Sequence, residues 1–304
     1  MSIKKYLPLI KILVAIAAIS LLLKMSEKEK LLEILKSIRW YWLVLPVIFL
    51  QIQTLISTLK WKLILKSTKS DVNYWFLAKA YFIGNFFSLF LPSSVGGDIY
   101  RTALLKTKLD SYKKSMASVI FERLTGLAAL FFLALVGVLV GIDYEHKNWL
   151  VVLFCVGILV FYALLYAFSI MPKYVSSRFV NFVSELASSL MAYSCNVSLL
   201  IKAMIISLIF QSSIILINYL YCIILGLKVA VGDLIVIVPI VYTTEFLPIS
   251  INGIGVRDSA FAVMFHFFGY PIEYALTLSL LIVCTRYIAA LSVGGVLFLI
   301  SKYR

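Results

Sequence analysis

The side chains able to do chemistry in this chain are few, and they sit in apolar surroundings where charge is costly. Arg101 and Arg257 each close one copy of a repeated segment: residues 90–101 read FLPSSVGGDIYR and residues 246–257 read FLPISINGIGVR. Aligned without a gap, the copies share Phe90/Phe246, Leu91/Leu247, Pro92/Pro248, Ser94/Ser250, Gly97/Gly253 and Arg101/Arg257, six identities in twelve positions at a constant offset of 156. Val95/Ile251 is a conservative seventh. Pro92, Gly96 and Gly97 in one copy, and Pro248, Gly253 and Gly255 in the other, interrupt an apolar helix. A broken helix leaves backbone N–H groups free and turns a partial positive charge toward the break. An arginine beside the break adds paired N–H donors of the geometry that a phosphate accepts. The chemistry implied is recognition of an anionic or phosphate-bearing group, with Ser94, Ser250 and Asn252 as polar company. A single arginine of this kind reads more simply as a side chain snorkelling to the head-group region. The matched repetition favours the recognition role.

Further ionisable residues lie in apolar stretches: Lys79, Glu122, Arg123, Glu245, Asp258 and Arg286. An unpaired charge at membrane depth costs roughly 2.5–3.5 kcal/mol on insertion scales, so these groups are expected to pair or to face water. Asp98 follows Gly96 and Gly97 and opens a short helix, where N-capping is its expected local role. Glu122 and Arg123 are adjacent and point to different helix faces. Expected partners are therefore Glu245 for Arg123, or a motif arginine for Glu122. Glu273 falls at a span edge and is expected to be solvated. A transferase would want clustered carboxylates for a metal, or a nucleophile with a base; no DxD, HExxH or GxSxG is present. His146 and His266 are distant in sequence, and Cys155, Cys195, Cys222 and Cys284 show no CxxC spacing. No metal site, cofactor or catalytic residue is expected.

The elements that must position these residues are membrane spans. The chain has 304 residues, 62% hydrophobic and only 14% charged, too apolar for a soluble domain. Several runs of about 18–25 apolar residues can each cross a bilayer. The net charge of +14 then reflects basic loops and an anionic lipid surface as partner, not nucleic acid. Expected spans are residues 7–23, 40–59, 117–142, 149–171, 199–225 and 272–300. Residues 24–39 suit an amphipathic surface helix and residues 173–194 an interfacial one. Trp40 and Trp42 suit an interface. The fold class expected is all-α and polytopic, with six full spans. All of residues 1–304 form one integral-membrane domain, with pseudo-repeat halves at about 40–142 and 199–300.

The two motif copies are expected to be re-entrant hairpins. Lys60, Lys62, Lys66 and Lys69 precede the first copy and Lys106, Lys108, Lys113 and Lys114 follow it, and the positive-inside rule puts both groups on one face. With both termini cytoplasmic, 16 basic residues fall inside (those eight with Lys4, Lys5, Lys11, Lys173, Arg178, Lys202, Lys302 and Arg304). Seven fall outside (Lys24, Lys28, Lys30, Lys36, Arg39, Lys147 and Lys228). The first hairpin then enters from the cytoplasm and the second from outside, an inverted-topology repeat.

At these residues the chain resembles a known family. FLPSSVGGDIYR, SVIFERLTGLAALFF, FLPISINGIGVRDSAF and TRYIAALSVGGVLFL are similar to segments of the family that includes the membrane-embedded half of lysylphosphatidylglycerol synthase. The resemblance covers most of the chain and implies a lipid-flippase-like core with two re-entrant segments. In the two-domain synthases this half is associated with moving aminoacylated phosphatidylglycerol to the outer leaflet. By matching motif, the resemblance carries over to Pro92, Gly96, Gly97, Asp98, Arg101, Glu122, Arg123, Pro248, Asn252, Gly253, Gly255, Arg257 and Arg286. The soluble aminoacyl-transfer domain has no counterpart here, so this chain is expected not to synthesise that lipid. The expectation is a non-catalytic protein of the cell membrane that moves a phospholipid, or another lipid with a phosphate-bearing head group, between leaflets along a path lined by the motif copies. The alternatives are an accessory subunit of a lipid-modifying enzyme or glycosyltransferase, and a transferase acting on a lipid-linked substrate. Oligomerisation is left open.

Overall fold

The structure, a computed structural model, describes residues 20–22, 24, 26–67, 70–90, 96–109, 112–141, 178–246 and 253–302. No strand occurs among the described residues. In chain order the helices are α1 (Lys28–Ser37), a 3-10 turn (Trp40–Leu43) running into α2 (Val44–Ser67), α3 (Tyr74–Phe90), α4 (Gly96–Leu109) and α5 (Tyr112–Gly141). After these come α6 (Arg178–Cys195), α7 (Val197–Ile224), α8 (Val231–Thr243), α9 (Val256–Phe267), α10 (Ile272–Ala289) and α11 (Val296–Lys302). A π-helical segment, Ala290–Gly295, joins α10 to α11.

Among the described residues, four stretches are long and apolar enough to cross a bilayer: Trp40–Ser67, Tyr112–Gly137, Val197–Ile224 and Ile272–Ser301. The chain is an all-α membrane protein. The expected span at 149–171, and all of that at 7–23 except residues 20–22, lie outside the described residues. The surface of the long helices carries apolar side chains such as Ile48, Ile52, Ile201, Ile205 and Ile209, a distribution that suits a hydrocarbon solvent rather than water.

The described helices group into two compact units that interleave along the chain. The first comprises Met1–Ile52, Phe82–Gly97 and Ser213–Arg304, and the second Gln53–Tyr81 and Asp98–Ser212.

In the second unit, one core cluster joins Trp61 and Leu65 of α2, Leu77 and Ala80 of α3, Leu105 of α4 and Val119 of α5. Leu77 lies near the start of α3 and Leu105 near the end of α4, so α4 runs back beside α3. A second cluster packs Leu190 and Tyr193 of α6 against Ala117 and Phe121 of α5. Lys113 and Glu185 form an ion pair beside it. The stretch expected to form an interfacial helix is helical from Arg178 to Cys195, as α6, and seats on α5.

In the first unit, α8 and α9 form a second hairpin. Tyr270, just past α9, donates its hydroxyl to Asp233 in the first turn of α8 and accepts from the Ala230 N–H at 3.3 Å. The chain thus returns to the end it left. The 13 residues of α8 span only about 20 Å at ~1.5 Å per residue, short of the ~30 Å hydrocarbon core. Helix α1 packs on α10, burying Ile34 and Ile38. Glu273 is buried, not solvated. Its carboxylate accepts from the Glu27 N–H at 3.1 Å and meets Lys30 at 3.7 Å. The expectation failed because α1 folds over the start of α10 and supplies both partners.

Where α10 widens into the π segment, Gln51 donates to the Ala289 carbonyl at 2.8 Å and to the Ser292 hydroxyl at 3.2 Å. Gly294 lets α3 approach: a Cβ there would stand 3.0 Å from the Phe82 carbonyl carbon and from Phe86 Cβ. Phe86 also stacks on Phe298, centroids 5.7 Å apart.

Candidate head-group site

Asp98 and Arg101 lie one turn apart on α4, while Glu122 and Arg123 are neighbours on α5. Arg101 is almost wholly buried, at 4% exposure. Its guanidinium donates to Glu122 at 2.9 Å and pairs with Asp98. The other Asp98 oxygen pairs with Arg123. One carboxylate therefore bridges both arginines, and Glu122–Arg101–Asp98–Arg123 forms an unbroken chain of alternating charge. Adjacent Glu122 and Arg123, facing different directions, are tied together through α4. Tyr81 of α3 closes the group: its hydroxyl donates to Glu122 at 2.7 Å, and its ring lies 3.9 Å from the Arg101 guanidinium carbon. Trp61 lies 5.0 Å away and is itself held by Ser118. Aromatic faces of this kind stabilise a buried cation.

The second copy builds a cluster of the same composition in the first unit. Arg257 opens α9 and is fully buried. It donates to Glu245, Asp258 and Ser279, each at 3.2 Å. Ser279 in turn donates to Asp258. Arg286 of α10 donates to both oxygens of Glu245, at 2.8 and 3.3 Å, and lies 5.5 Å from the Tyr242 ring. Asp258 also caps α9 by accepting from the Gly255 N–H at 2.9 Å. Gly253 and Gly255 hold φ of 80° and 85°, a backbone that side-chain-bearing residues rarely adopt.

Each cluster therefore contains two arginines and two carboxylates, with the motif arginine innermost. The second arginine is partly open: the Arg123 side chain is 37% exposed and that of Arg286 is 31% exposed. Arg101 and Arg257 spend their terminal nitrogens on carboxylates. The capping role expected of Asp98 is corrected. This residue lies inside α4, which begins at Gly96, and its carboxylate serves two arginines. Glu122 has the motif-arginine partner expected of it, whereas Arg123 pairs with Asp98 rather than Glu245. Pro92, Ser94, Pro248, Ser250 and Asn252 lie outside the described residues.

Lys60 was counted among loop lysines, yet it is buried within α2, which continues to Ser67. It donates to the Glu122 carbonyl at 2.9 Å and to Ser207 at 3.1 Å. Its signal was its place in the helical period, one turn before Ile64, which is likewise fully buried. Tyr81, Trp61 and Ser279 carried no signal beyond being ordinary apolar-helix residues. Lys79, by contrast, is exposed.

Apolar helices of spanning length that carry neutralised arginine clusters define an all-α membrane protein. The chain matches the family model for the lysylphosphatidylglycerol synthase TM region over residues 9–294 and belongs to that family. No curated protein and no solved structure matches it.

Proposed function

We propose that the protein translocates a lipid with a phosphate-bearing head group between leaflets, without catalysing a covalent step. The observation that carries this reading is the cluster itself, a buried arginine locked by carboxylates with a second arginine left one-third open, found at both helix breaks. Arg123 and Arg286 are the groups offered to the head group; Arg101 and Arg257 hold the carboxylates that aim them. A cation already shared with a carboxylate binds a phosphate without trapping it, as a carrier requires. Membership of the family supports the same class of activity. In this reading the α3–α4 and α8–α9 hairpins are re-entrant and enter from opposite faces of the cell membrane.

The test is leaflet exchange of fluorescent phospholipids and of a polyprenyl phosphate in proteoliposomes. The wild-type protein is expected to accelerate exchange of at least one of them. Arg123→Ala and Arg286→Ala each slow it roughly tenfold or more, the effect of losing one charge-assisted hydrogen bond. No acceleration over empty liposomes for any of these lipids sinks the proposal. Acceleration only after adding a lipid-modifying enzyme moves the assignment to an accessory subunit.

A further inference from the structure

We infer that the first unit carries a binding site for one anionic phospholipid, in the cleft beside Arg39. The cleft encloses about 390 Å³ between the α1–α2 connection and the end of α7. Ser37 and Arg39 are its polar side chains, and Trp42, Leu45, Leu220 and Ile223 are among its apolar ones. That volume falls within the ~300–1,000 Å³ of small-molecule sites, and most of the lining side chains are apolar. It suits an acyl chain lying along α2 and α7 with the phosphodiester at the mouth.

Three observations choose this occupant. The first is charge. Arg101, Arg123, Arg257 and Arg286 all meet carboxylates, whereas Arg39 is exposed and forms no ion pair among the described residues. A guanidinium at the rim of an apolar cleft is the complement of a phosphate with a fatty chain behind it. The second is depth. Trp40, Tyr41 and Trp42 are all strongly exposed beside Arg39, the aromatic signature of the head-group level. The third is the local field. Residues 24–39 carry Lys24, Lys28, Lys30, Lys36 and Arg39 against Glu27, Glu29 and Glu33, an excess of positive charge that attracts anionic lipid. A docked apolar peptide would use the cleft and leave Arg39 unmatched. This site shares no residue with the arginine clusters, and it stands whether or not lipid is transported.

Full-length protein in detergent, titrated with phosphatidylglycerol or phosphatidylcholine and read by native mass spectrometry, tests it. Wild type is expected to retain one phosphatidylglycerol under conditions that strip phosphatidylcholine. Arg39→Glu weakens that retention about five- to tenfold, Arg39→Lys largely keeps it, and Ile223→Trp, which fills the cleft, abolishes it. Lys106→Glu, an exposed charge change on α4, leaves it unchanged, and all variants melt at the wild-type temperature. The site is refuted if Arg39→Glu and Ile223→Trp retain phosphatidylglycerol like wild type. It is equally refuted if Lys106→Glu weakens retention as much as Arg39→Glu, or if both lipids are held alike.

Discussion

An arginine in an apolar bundle loses its hydration, and only well-placed acceptors offset that loss. Arg101 meets the condition with two carboxylates and two aromatic faces. Removing it leaves Asp98 and Glu122 buried with less positive charge around them. Arg101→Met is therefore expected to destabilise the protein by about 3–5 kcal/mol. Neutralising the partner as well should recover part of that loss, so Arg101→Met/Glu122→Gln is less damaging than the two single effects added together. Thermal melting of the detergent-purified variants measures both; a loss under about 1 kcal/mol for Arg101→Met would remove the structural role assigned to it. That charged residues in these helices must pair was legible in the sequence, because burial of a lone charge is so costly. Which residues pair was not. Glu122 with a motif arginine was within reach, but Asp98 reaching Arg123 depends on α4 folding back against α5.

At the scale of elements, the glycines of the two copies have different physical reasons for being glycine. Gly253 and Gly255 occupy positive φ. Gly97 sits in the first turn of α4 and is needed for close approach: a Cβ there would stand 2.8 Å from the Gly84 carbonyl carbon, and its N–H donates to Ser88 at 3.1 Å. The sequence alignment pairs Gly97 with Gly253 and so hides the distinction, since a helix-breaking residue and a close-packing residue look alike in one dimension. Gly97→Ala is expected to cost roughly 1–3 kcal/mol because backbone, not a flexible side chain, stands in the way. Gly232, in the first turn of α8, has nothing within 4 Å of its Cβ position. Gly232→Ala should therefore be neutral or stabilise by up to about 1 kcal/mol. Melting temperatures that fall equally for both substitutions would refute the close-approach reading of Gly97. The helices themselves were legible because apolar runs of spanning length allow little else. The π segment of Ala290–Gly295 was not, because its widening answers to packing against α3 and to the Gln51 side chain.

For the whole molecule, the question is which face each hairpin opens to, and the charges supply the expectation. Lys60 is a buried bundle residue and leaves the loop tally, which then stands at fifteen basic residues inside against seven outside. That asymmetry still favours cytoplasmic termini and a first hairpin flanked on the same side by Lys66 and Lys106. The division into two interleaved units was not visible in the sequence, since α2, α3, α4 and α7 each run through a unit boundary. The first hairpin was legible from the lysine groups on either side of its motif and the second from the repeat of that motif, whereas the shortness of α8 and α9 is a structural finding. Cysteines at Ser94 and Ser250, placed one at a time in a variant with Cys155, Cys195, Cys222 and Cys284 replaced, report the two helix breaks. Labelling in intact cells and in inverted vesicles with a membrane-impermeant maleimide is expected to modify the Ser94 position from the cytoplasmic side and the Ser250 position from the outside. Hairpins that share one face would be modified from the same side, and the inverted repeat would then have to be abandoned even if lipid exchange were observed.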